Sequence, residues 1–246
     1  MAMSNFTGAI FDSVRQLARS AAHILPQACA LCASPCGSVL VCPACNDALP
    51  RIGAAACPCC ALPSPRGAAS ATPCGRCLAR PPPWGHASAA FAYAYPLDRL
   101  VVALKYRGIL AYADFLASAL ATRIDVRPDV IVAVPLARSR QRQRGFNQAD
   151  EIARRLGRIC GIPLCHGLDR VQDAPAQASS DRRERVRNMR DAFMGLPVLA
   201  GKRIAIVDDV LTTGATLAAA ARAARRAGAD VIGAFVVART LGAASQ

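Results

Sequence analysis

From residue 86 onward, short apolar runs alternate with segments whose apolar residues recur at helical spacing. The short runs predict buried strands, and the periodic segments predict helices. Strands are predicted at 87–95, 129–134, 163–168, 202–207 and 230–237. Helices are predicted at 97–106, 112–123, 147–160 and 217–227. Repeated strand–helix–strand units with right-handed crossovers indicate an α/β fold, in which helices cover both faces of a mainly parallel sheet.

The beginning of the chain has a different pattern. Over residues 1–28, apolar residues at helical spacing predict an amphipathic helix that packs on the rest of the protein; binding to a membrane surface or a partner is the alternative. Asp12, Arg15 and Arg19 interrupt the apolar stretch that a secretory signal would need. No apolar run reaches the roughly 18 to 20 residues that span a bilayer, so no transmembrane segment is predicted.

Cysteines dominate the next segment. Ten of the twelve lie between positions 29 and 77, and eight of these form Cys-x-x-Cys pairs. Each pair can present two thiolates from one tight turn, called a knuckle here, and two knuckles complete a tetrahedral shell for Zn²⁺. Two Cys₄ sites are therefore predicted; sequential pairing of the knuckles leaves short loops, and interleaved pairing is the alternative. The predicted ligands are Cys29, Cys32, Cys42, Cys45, Cys57, Cys60, Cys74 and Cys77.

We expect these zinc sites to be structural, because four thiolates leave no open position for water or substrate. The segment is also too small and too poor in apolar residues to fold without a metal. Cys36 and Cys59 are predicted to be spare thiols near the knuckles; substitution of either as a zinc ligand is the alternative. The zinc module is predicted to span residues 29–80, and a stiff Pro-rich bridge at 80–85 separates it from a second domain at 86–246.

The segment IAIVDDVLTTGATL, at 204–217, joins a predicted buried strand to an Ala-rich predicted helix. Its loop can hold a phosphate, because the N–H groups at a helix N-terminus lack intrahelical partners. Asp208 and Asp209 follow the strand, where they can accept hydrogen bonds from ribose hydroxyls; the alternative is that they cap the helix or are solvated. The predicted phosphate-binding residues are Thr212, Thr213, Gly214, Ala215 and Thr216.

This acidic-pair loop resembles the phosphoribosyl-diphosphate (PRPP) loop of the type I phosphoribosyltransferases. A Walker A loop is excluded, since no Gly-Lys-Ser or Gly-Lys-Thr triplet follows the turn.

The charge balance is strongly basic, with 30 Lys and Arg against 16 Asp and Glu and a formal net charge of +14. Only Lys105 and Lys202 are lysines, so a compositional bias toward Arg accounts for part of this excess. The arginines are nevertheless clustered at 135–145 and 170–190. Guanidinium groups bind phosphate oxygens in pairs, so we expect phosphorylated ligands first and nucleic acid second. The longer segment, 170–190, is predicted to be a mobile lid.

Further motifs extend over nearly the whole chain: the four knuckles, LKYRG at 104–108, VPL at 134–136, RGFNQ at 144–148, Gln177, Arg183, Arg187, Asn188, VDDVLTTGATL at 207–217 and Ala238-Arg239. Together they resemble the ComF (competence protein F) family. Glycines that usually follow two of the knuckles are Ala33 and Ala61 here. This difference bears on the geometry of those turns rather than on metal binding.

The resemblance implies a type I phosphoribosyltransferase-like domain after a double zinc ribbon, with PRPP or a ribose 5-phosphate compound as ligand. In a catalytic domain Asp208 and Asp209 would hold the ribose hydroxyls and, through them, Mg²⁺. Lys105 and Arg138 would also bind the ligand, Arg138 by receiving the leaving pyrophosphate. No acceptor is recognisable, and catalysis itself is an open question. The alternative is a non-catalytic protein of this fold that binds single-stranded DNA or the DNA-uptake machinery. In either case the family name implies cytoplasmic DNA uptake or utilisation.

Overall fold

The computed structural model describes residues 28–64, 71–171 and 192–241. The described chain divides into two compact units at the bond between Leu49 and Pro50. This division lies within the range 29–80 that the sequence predicts as one module, so the second pair of knuckles shares a unit with the α/β region. The predicted helix at 1–28 lies outside the described residues except for Ala28, and most of the predicted lid at 170–190 lies outside them too.

In the described part of the first unit, residues 28–49, there is one short helix, α1 (Pro43–Asp47). The helices of the second unit are α2 (Gly75–Ala79), α3 (Leu97–Arg107), α4 (Ala111–Ala121), α5 (Arg138–Arg144), α6 (Gln148–Cys160) and α7 (Ala215–Arg226), with a 3₁₀ turn at Pro197–Leu199. Its strands are β1 (His86–Ala92), β2 (Val130–Ala133), β3 (Leu168–Arg170), β4 (Phe193–Gly195), β5 (Arg203–Leu211) and β6 (Asp230–Arg239). Within the described ranges, no helix is both long enough and apolar enough to cross a bilayer.

Four parallel strands form the main sheet, in the order β1-β6-β5-β2. The central strand β5 is paired on both sides, with Val207 opposite Phe235 of β6 and Ala133 of β2. Because the strands are parallel, their carboxyl ends meet at one edge of the sheet, where ligands bind in open α/β folds. β5 continues to Leu211, four residues beyond the predicted end at 207, so the acidic pair Asp208-Asp209 lies within the strand.

Helices cover both faces of this sheet, as the sequence predicts. Ile204 and Ile206 pack in one buried cluster with Leu217 of α7. The alternate residues Ala205 and Val207 are also fully buried and point to the opposite face, since successive side chains of a strand alternate. On that face α4 and α6 pack against each other and against the sheet. The α/β prediction is thereby confirmed.

Two local predictions are wrong. The strand predicted at 163–168 is reduced to a single bridge, in which Ile131 N–H donates to the Pro163 carbonyl and Cys165 N–H donates to the Ile131 carbonyl. The chain then turns away, and β3 pairs antiparallel with β4 in a separate two-stranded sheet. The basic stretch 135–145, predicted as a loop, contains helix α5, whose sequence RSRQRQR has no apolar stripe.

Gly157 in α6 provides a test of the packing against β2. Glycine is normally worse than alanine inside a helix by about 1 kcal/mol. Here a Cβ would lie 2.5 Å from the Ile162 carbonyl oxygen and 3.3 Å from Ile131 Cδ1. We therefore expect Gly157→Ala to destabilise the protein by about 1–3 kcal/mol in chemical denaturation. As a control, Gly53→Ala meets nothing within 4 Å and should change the unfolding free energy little. A stabilised Gly157→Ala variant would contradict this packing.

Candidate functional site

The eight paired cysteines form two groups of four in sequential order, Cys29/Cys32/Cys42/Cys45 and Cys57/Cys60/Cys74/Cys77. Within each group the ligand atoms all lie within 4.8 Å of one another. Cys32 Sγ lies 3.8 Å from Cys42 Sγ, and Cys60 Sγ lies 3.8 Å from Cys74 Sγ. A tetrahedral Zn²⁺ with Zn–S bonds of about 2.3 Å separates its sulfur atoms by about 3.8 Å. The donor set and its spacing therefore fit zinc, and the interleaved pairing is not the one observed.

Ala33 and Ala61, which replace the expected glycines, adopt the left-handed conformation with φ values of 60° and 55°. Their N–H groups donate to the carbonyl groups of Cys29 and Cys57 at 2.9 and 2.8 Å, which closes each knuckle. An L-residue in this conformation costs about 1–2 kcal/mol. The turn geometry is thus kept without glycine, and metal binding can offset the strain.

In each cluster, one buried thiol has a pKa below its ordinary value. Burial raises the pKa of Cys29, but N–H groups of Cys42 and Leu31, 3.4 and 3.5 Å from its sulfur, lower the pKa to about 6. Burial opposes ionisation of Cys57 too, and the N–H of Cys74, 3.2 Å from its sulfur, helps to lower that pKa to about 7. Since Zn²⁺ binds thiolates, Cys29 offers a ligand that is largely ionised near neutral pH, and Cys57 offers one that is about half ionised.

The predicted phosphate-binding residues form the turn after β5 and the first two residues of α7. We call this segment the phosphate loop (Thr212–Thr216). Gly214 is the N-cap of α7 and has φ of 82°. A Cβ at Gly214 would also lie 2.7 Å from Cη2 of Trp84, so both its positive φ and its close packing require glycine. The hydroxyl of Thr213 lies 3.4 Å from the Ala215 N–H. The following amides of the first helical turn point toward the loop, as an anion-binding site requires.

The acidic pair lies beside this loop and contacts Lys105. Asp209 is buried, and its Oδ2 forms an ion pair with Nζ of Lys105 at 3.0 Å. Asp208 Oδ1 accepts a hydrogen bond of 2.8 Å from the Asp209 N–H. The end of α3 therefore brings a cation to the carboxyl end of β5. Lys105 entered the predicted site only through the family resemblance, because nothing in the local pattern around it indicates this contact.

The surroundings of Asp208 oppose its ionisation. Burial first, and then the negative charge of Asp209, raise the pKa of Asp208 to about 8. The N–H of Asp209 and the charge of Lys105 act in the opposite direction but are weaker. In the ligand-free protein, Asp208 therefore holds a proton near neutral pH.

The motifs LKYRG and RGFNQ meet in space. The guanidinium carbon of Arg144 lies 4.7 Å from the ring centroid of Tyr106. Asn147 donates to the Val134 carbonyl at 2.9 Å and caps α6 by accepting from the Ala149 N–H, so this part of RGFNQ holds the start of α6 against the residue that follows β2. Between the motifs lies a cavity of 320 Å³, lined by Lys105, Tyr106, Arg107, Gly108, Gln143, Arg144 and Phe146.

Arg138, predicted to bind pyrophosphate, is the first residue of α5 and follows β2 at the same edge of the sheet as Asp208. Its role stays a prediction, as does that of the basic segment at 170–190. Sequence analysis assigned no role to Trp84 or Arg239. Trp84 contacts Gly214 of the phosphate loop, and Arg239 donates a hydrogen bond to the carbonyl of Leu211 at the end of β5. Arg239 was part of the family resemblance, whereas Trp84 appeared only as part of a linker.

The fold and the loop define the class of this domain. Residues 104–244 match the family model described as phosphoribosyl transferase domain, and the described chain has the type I phosphoribosyltransferase fold. One similar solved structure is adenine phosphoribosyltransferase from Thermoanaerobacter pseudethanolicus. The alignment covers 55% of this chain and 71% of the adenine phosphoribosyltransferase chain, with 20% sequence identity and a TM-score of 0.37.

Two relatives with similar sequences identify the family within this class of phosphoribosyltransferase-like proteins. DNA utilization protein YhgH of Salmonella typhi is 37% identical over 177 residues, which cover 68% of this chain and 78% of the relative. Competence protein F of Haemophilus influenzae is 33% identical over 178 residues, which cover 67% of this chain and 77% of the relative. The chain therefore belongs to the ComF family of competence and DNA utilisation proteins.

The two Cys₄ clusters predict two zinc ions per chain in elemental analysis of the purified protein. Cys29→Ser with Cys32→Ser should remove one zinc, because two thiolates cannot hold the metal tightly. Cys160→Ser, outside both clusters, should keep both. A wild-type protein without zinc, or with these cysteines in disulfides, would contradict the assignment; a single zinc would refute only the two-site version.

The raised pKa of Asp208 predicts a pH effect on stability. From about pH 4, where an unfolded Asp ionises, to about pH 8 the folded state keeps a proton that the unfolded state has lost. The stability due to this group is complete below that window and is lost as the pH rises through it. The melting temperature of Asp208→Asn relative to wild type should therefore rise as the pH goes from about 4 to about 8, and the difference should level off above about pH 8.

The exposed Asp230, at the opposite end of β6, supplies the matched control. Asp230→Asn should show a pH-independent difference in melting temperature from wild type. A constant difference for Asp208→Asn as well would mean that Asp208 ionises normally.

Proposed function

We propose that this protein binds PRPP, or another ribose 5-phosphate compound, together with Mg²⁺, and acts in DNA uptake or utilisation. The observation that carries the proposal is the meeting of the acidic pair, Lys105 and the phosphate loop at the carboxyl end of β5. The family match at 104–244 supports the ligand class. The printed names of the two relatives support the process. The proposed compartment is the cytoplasm, where zinc-binding thiols stay reduced.

In this proposal the 5′-phosphate takes hydrogen bonds from the first amides of α7 and from the threonine hydroxyls of the phosphate loop. Asp208 and Asp209 accept hydrogen bonds from the ribose hydroxyls, and Lys105 places a cation beside Asp209. Arg144 and Lys105, which line the 320 Å³ cavity, add positive charge for a pyrophosphate group, together with Arg138. Mg²⁺, a cation that prefers oxygen ligands, would supply further positive charge to the pyrophosphate.

Phosphoribosyl transfer is the reaction that such a ligand set serves. A nucleophile of the acceptor forms a bond to C1 of the ribose, the bond from C1 to the pyrophosphate oxygen breaks, and pyrophosphate leaves with the electron pair. Positive charge develops on the ribose, and the carboxylates of Asp208 and Asp209 stabilise it. The proposal covers the donor side of this reaction and names no acceptor.

The second candidate is a non-catalytic protein of this fold that binds single-stranded DNA or a component of the DNA-uptake machinery. A specific observation favours it: Tyr106 is 70% exposed and Tyr95 is 71% exposed, in a chain with net charge +14. The exposed ring of Tyr106, which lies beside Arg144, suits stacking of an unpaired base. Binding of this kind should weaken steeply with salt, since neutralised phosphates release counterions.

Replacing Asp208 and Asp209 together by Asn tests the proposed ligand site. The double variant should bind Mg²⁺-PRPP more weakly by about 2–4 kcal/mol in calorimetry, because hydrogen bonds to charged acceptors are lost. Circular dichroism should show an unchanged fold. Asp230→Asn, at the other end of the sheet, should bind as wild type does. An unchanged affinity in the double variant would count against the assignment.

A deletion strain tests the proposed process. We expect the strain to lose transformation or growth on DNA, and the wild-type gene to restore it. The double Asp variant should fail to restore it if phosphoribosyl chemistry is required. Normal transformation and DNA use in the deletion strain would reject the role in that organism. Rescue by the double variant would keep the role and favour the non-catalytic candidate.

A further inference from the structure

The second Cys₄ cluster is joined to the end of β5 by the buried side chain of Arg239. Arg239 is the last residue of β6 and is 6% exposed. Its Nε donates to the Cys60 carbonyl at 2.9 Å, and its Nη1 donates to the Leu211 carbonyl at 2.7 Å. The same Nη1 also donates to the carbonyl of Thr212. One side chain therefore connects a predicted metal ligand to the first residue of the phosphate loop.

Trp84 makes a second connection between the same two segments. Its Nε1 donates to the Cys59 carbonyl at 2.8 Å. Its ring is packed against Gly214, where an added Cβ would come within 2.7 Å of Cη2. Trp84 is 5% exposed, so the ring has little freedom to move. Arg239 thus holds the start of the phosphate loop, and Trp84 contacts the residue that caps α7.

Between these connections the cluster and the loop do not pack tightly. A cavity of 610 Å³ lies there, with Cys60 and Cys77 on one side and Thr212 and Thr213 on the other. The two threonine side chains are exposed to this space rather than packed on the cluster. The shape of the loop on this side therefore depends on the contacts of Arg239 and Trp84.

The charge of Arg239 fits a site that holds metal. In the part of the chain that the structure describes, Arg239 pairs with no carboxylate. Four thiolates around one Zn²⁺ leave an excess of negative charge, which can compensate a buried guanidinium beside Cys60. Lysine in its place would keep the charge but could not reach three carbonyl groups in this fork geometry.

We propose that Arg239 and Trp84 are positioning residues, through which the second Cys₄ site holds the phosphate loop in its ligand-binding shape. This inference rests on the proposed function, in which the loop binds the 5′-phosphate of PRPP. It assigns the second zinc site a role in ligand affinity beyond folding of its own segment.

Hydrogen exchange of the zinc-loaded, full-length protein tests the contact itself. Arg239→Lys and Trp84→Phe should raise exchange of the amides at 212–216 by about tenfold while two zinc ions are retained. Arg225→Lys is the matched control, because Arg225 donates to the carbonyls of Pro83 and Val231 at 3.0 and 3.1 Å but makes no such bond to the phosphate loop. It should leave exchange in the loop unchanged.

Calorimetry with Mg²⁺-PRPP tests the consequence. We expect Arg239→Lys and Trp84→Phe to lower the affinity by at least about tenfold, and Arg225→Lys to stay within about twofold of wild type. Trp84 is the only tryptophan of the chain. PRPP should therefore change the intrinsic fluorescence of the wild-type protein, and the change should be smaller in Arg239→Lys at saturation.

The outcomes separate this inference from the proposed function. If wild-type protein does not bind PRPP, the proposed function fails, and faster exchange at 212–216 in the variants still supports the link to the loop. If exchange rises but PRPP affinity does not fall, the contact is structural only and the positioning role is overturned. Unchanged exchange in both variants overturns it as well. If the Arg239→Lys variant loses zinc, the results for Trp84→Phe decide whether the positioning role holds. The Trp84→Phe variant can decide it because it keeps an aromatic ring against Gly214.

Discussion

The buried carboxylate of Asp209 needs a cation, and Lys105 supplies one at 3.0 Å. This ion pair joins the end of α3 to the central strand and permits a charged side chain at a buried edge of the sheet. Asp208, next to it, makes no ion pair among the described residues, and its pKa rises to about 8. The two carboxylates therefore differ: Asp209 has a cation beside it, and Asp208 keeps a proton until hydroxyl donors or a cation stabilise its charge.

The sequence predicted those elements whose pattern is long and regular. Helices α3 and α6 start and end within two residues of prediction, because apolar positions recur along one face of each. The pattern failed where elements are short: β3 reads LDR and β4 reads FMG, and three residues show no alternation. Helix α5 has no apolar face to reveal it. Their conformation follows from tertiary contacts rather than from local preference.

Some features of the candidate site could likewise be predicted from local sequence patterns, and others could not. The identity of the ligands follows from spacing, because Cys-x-x-Cys constrains two sulfur atoms locally. Spacing left open which knuckles share a metal site, and the structure groups them in sequential order. The left-handed conformation of Ala33 and Ala61 does not follow from spacing, since alanine disfavours it. The pairing of Lys105 with Asp209 and the contacts of Trp84 and Arg239 join residues far apart in the chain. No local pattern encodes such contacts.

The second Cys₄ cluster lies in the same compact unit as the sheet, whereas the first belongs to the other unit. The two clusters therefore have the same four-cysteine ligand set but lie in different structural surroundings. A loop that binds an anion through backbone amides loses affinity if it must first be ordered, because ordering consumes part of the binding free energy. Contacts from a rigid metal knuckle reduce that cost before the ligand arrives. If Arg239 and Trp84 position the loop as proposed, a metal in the second cluster would contribute to binding by preorganisation, without touching the ligand.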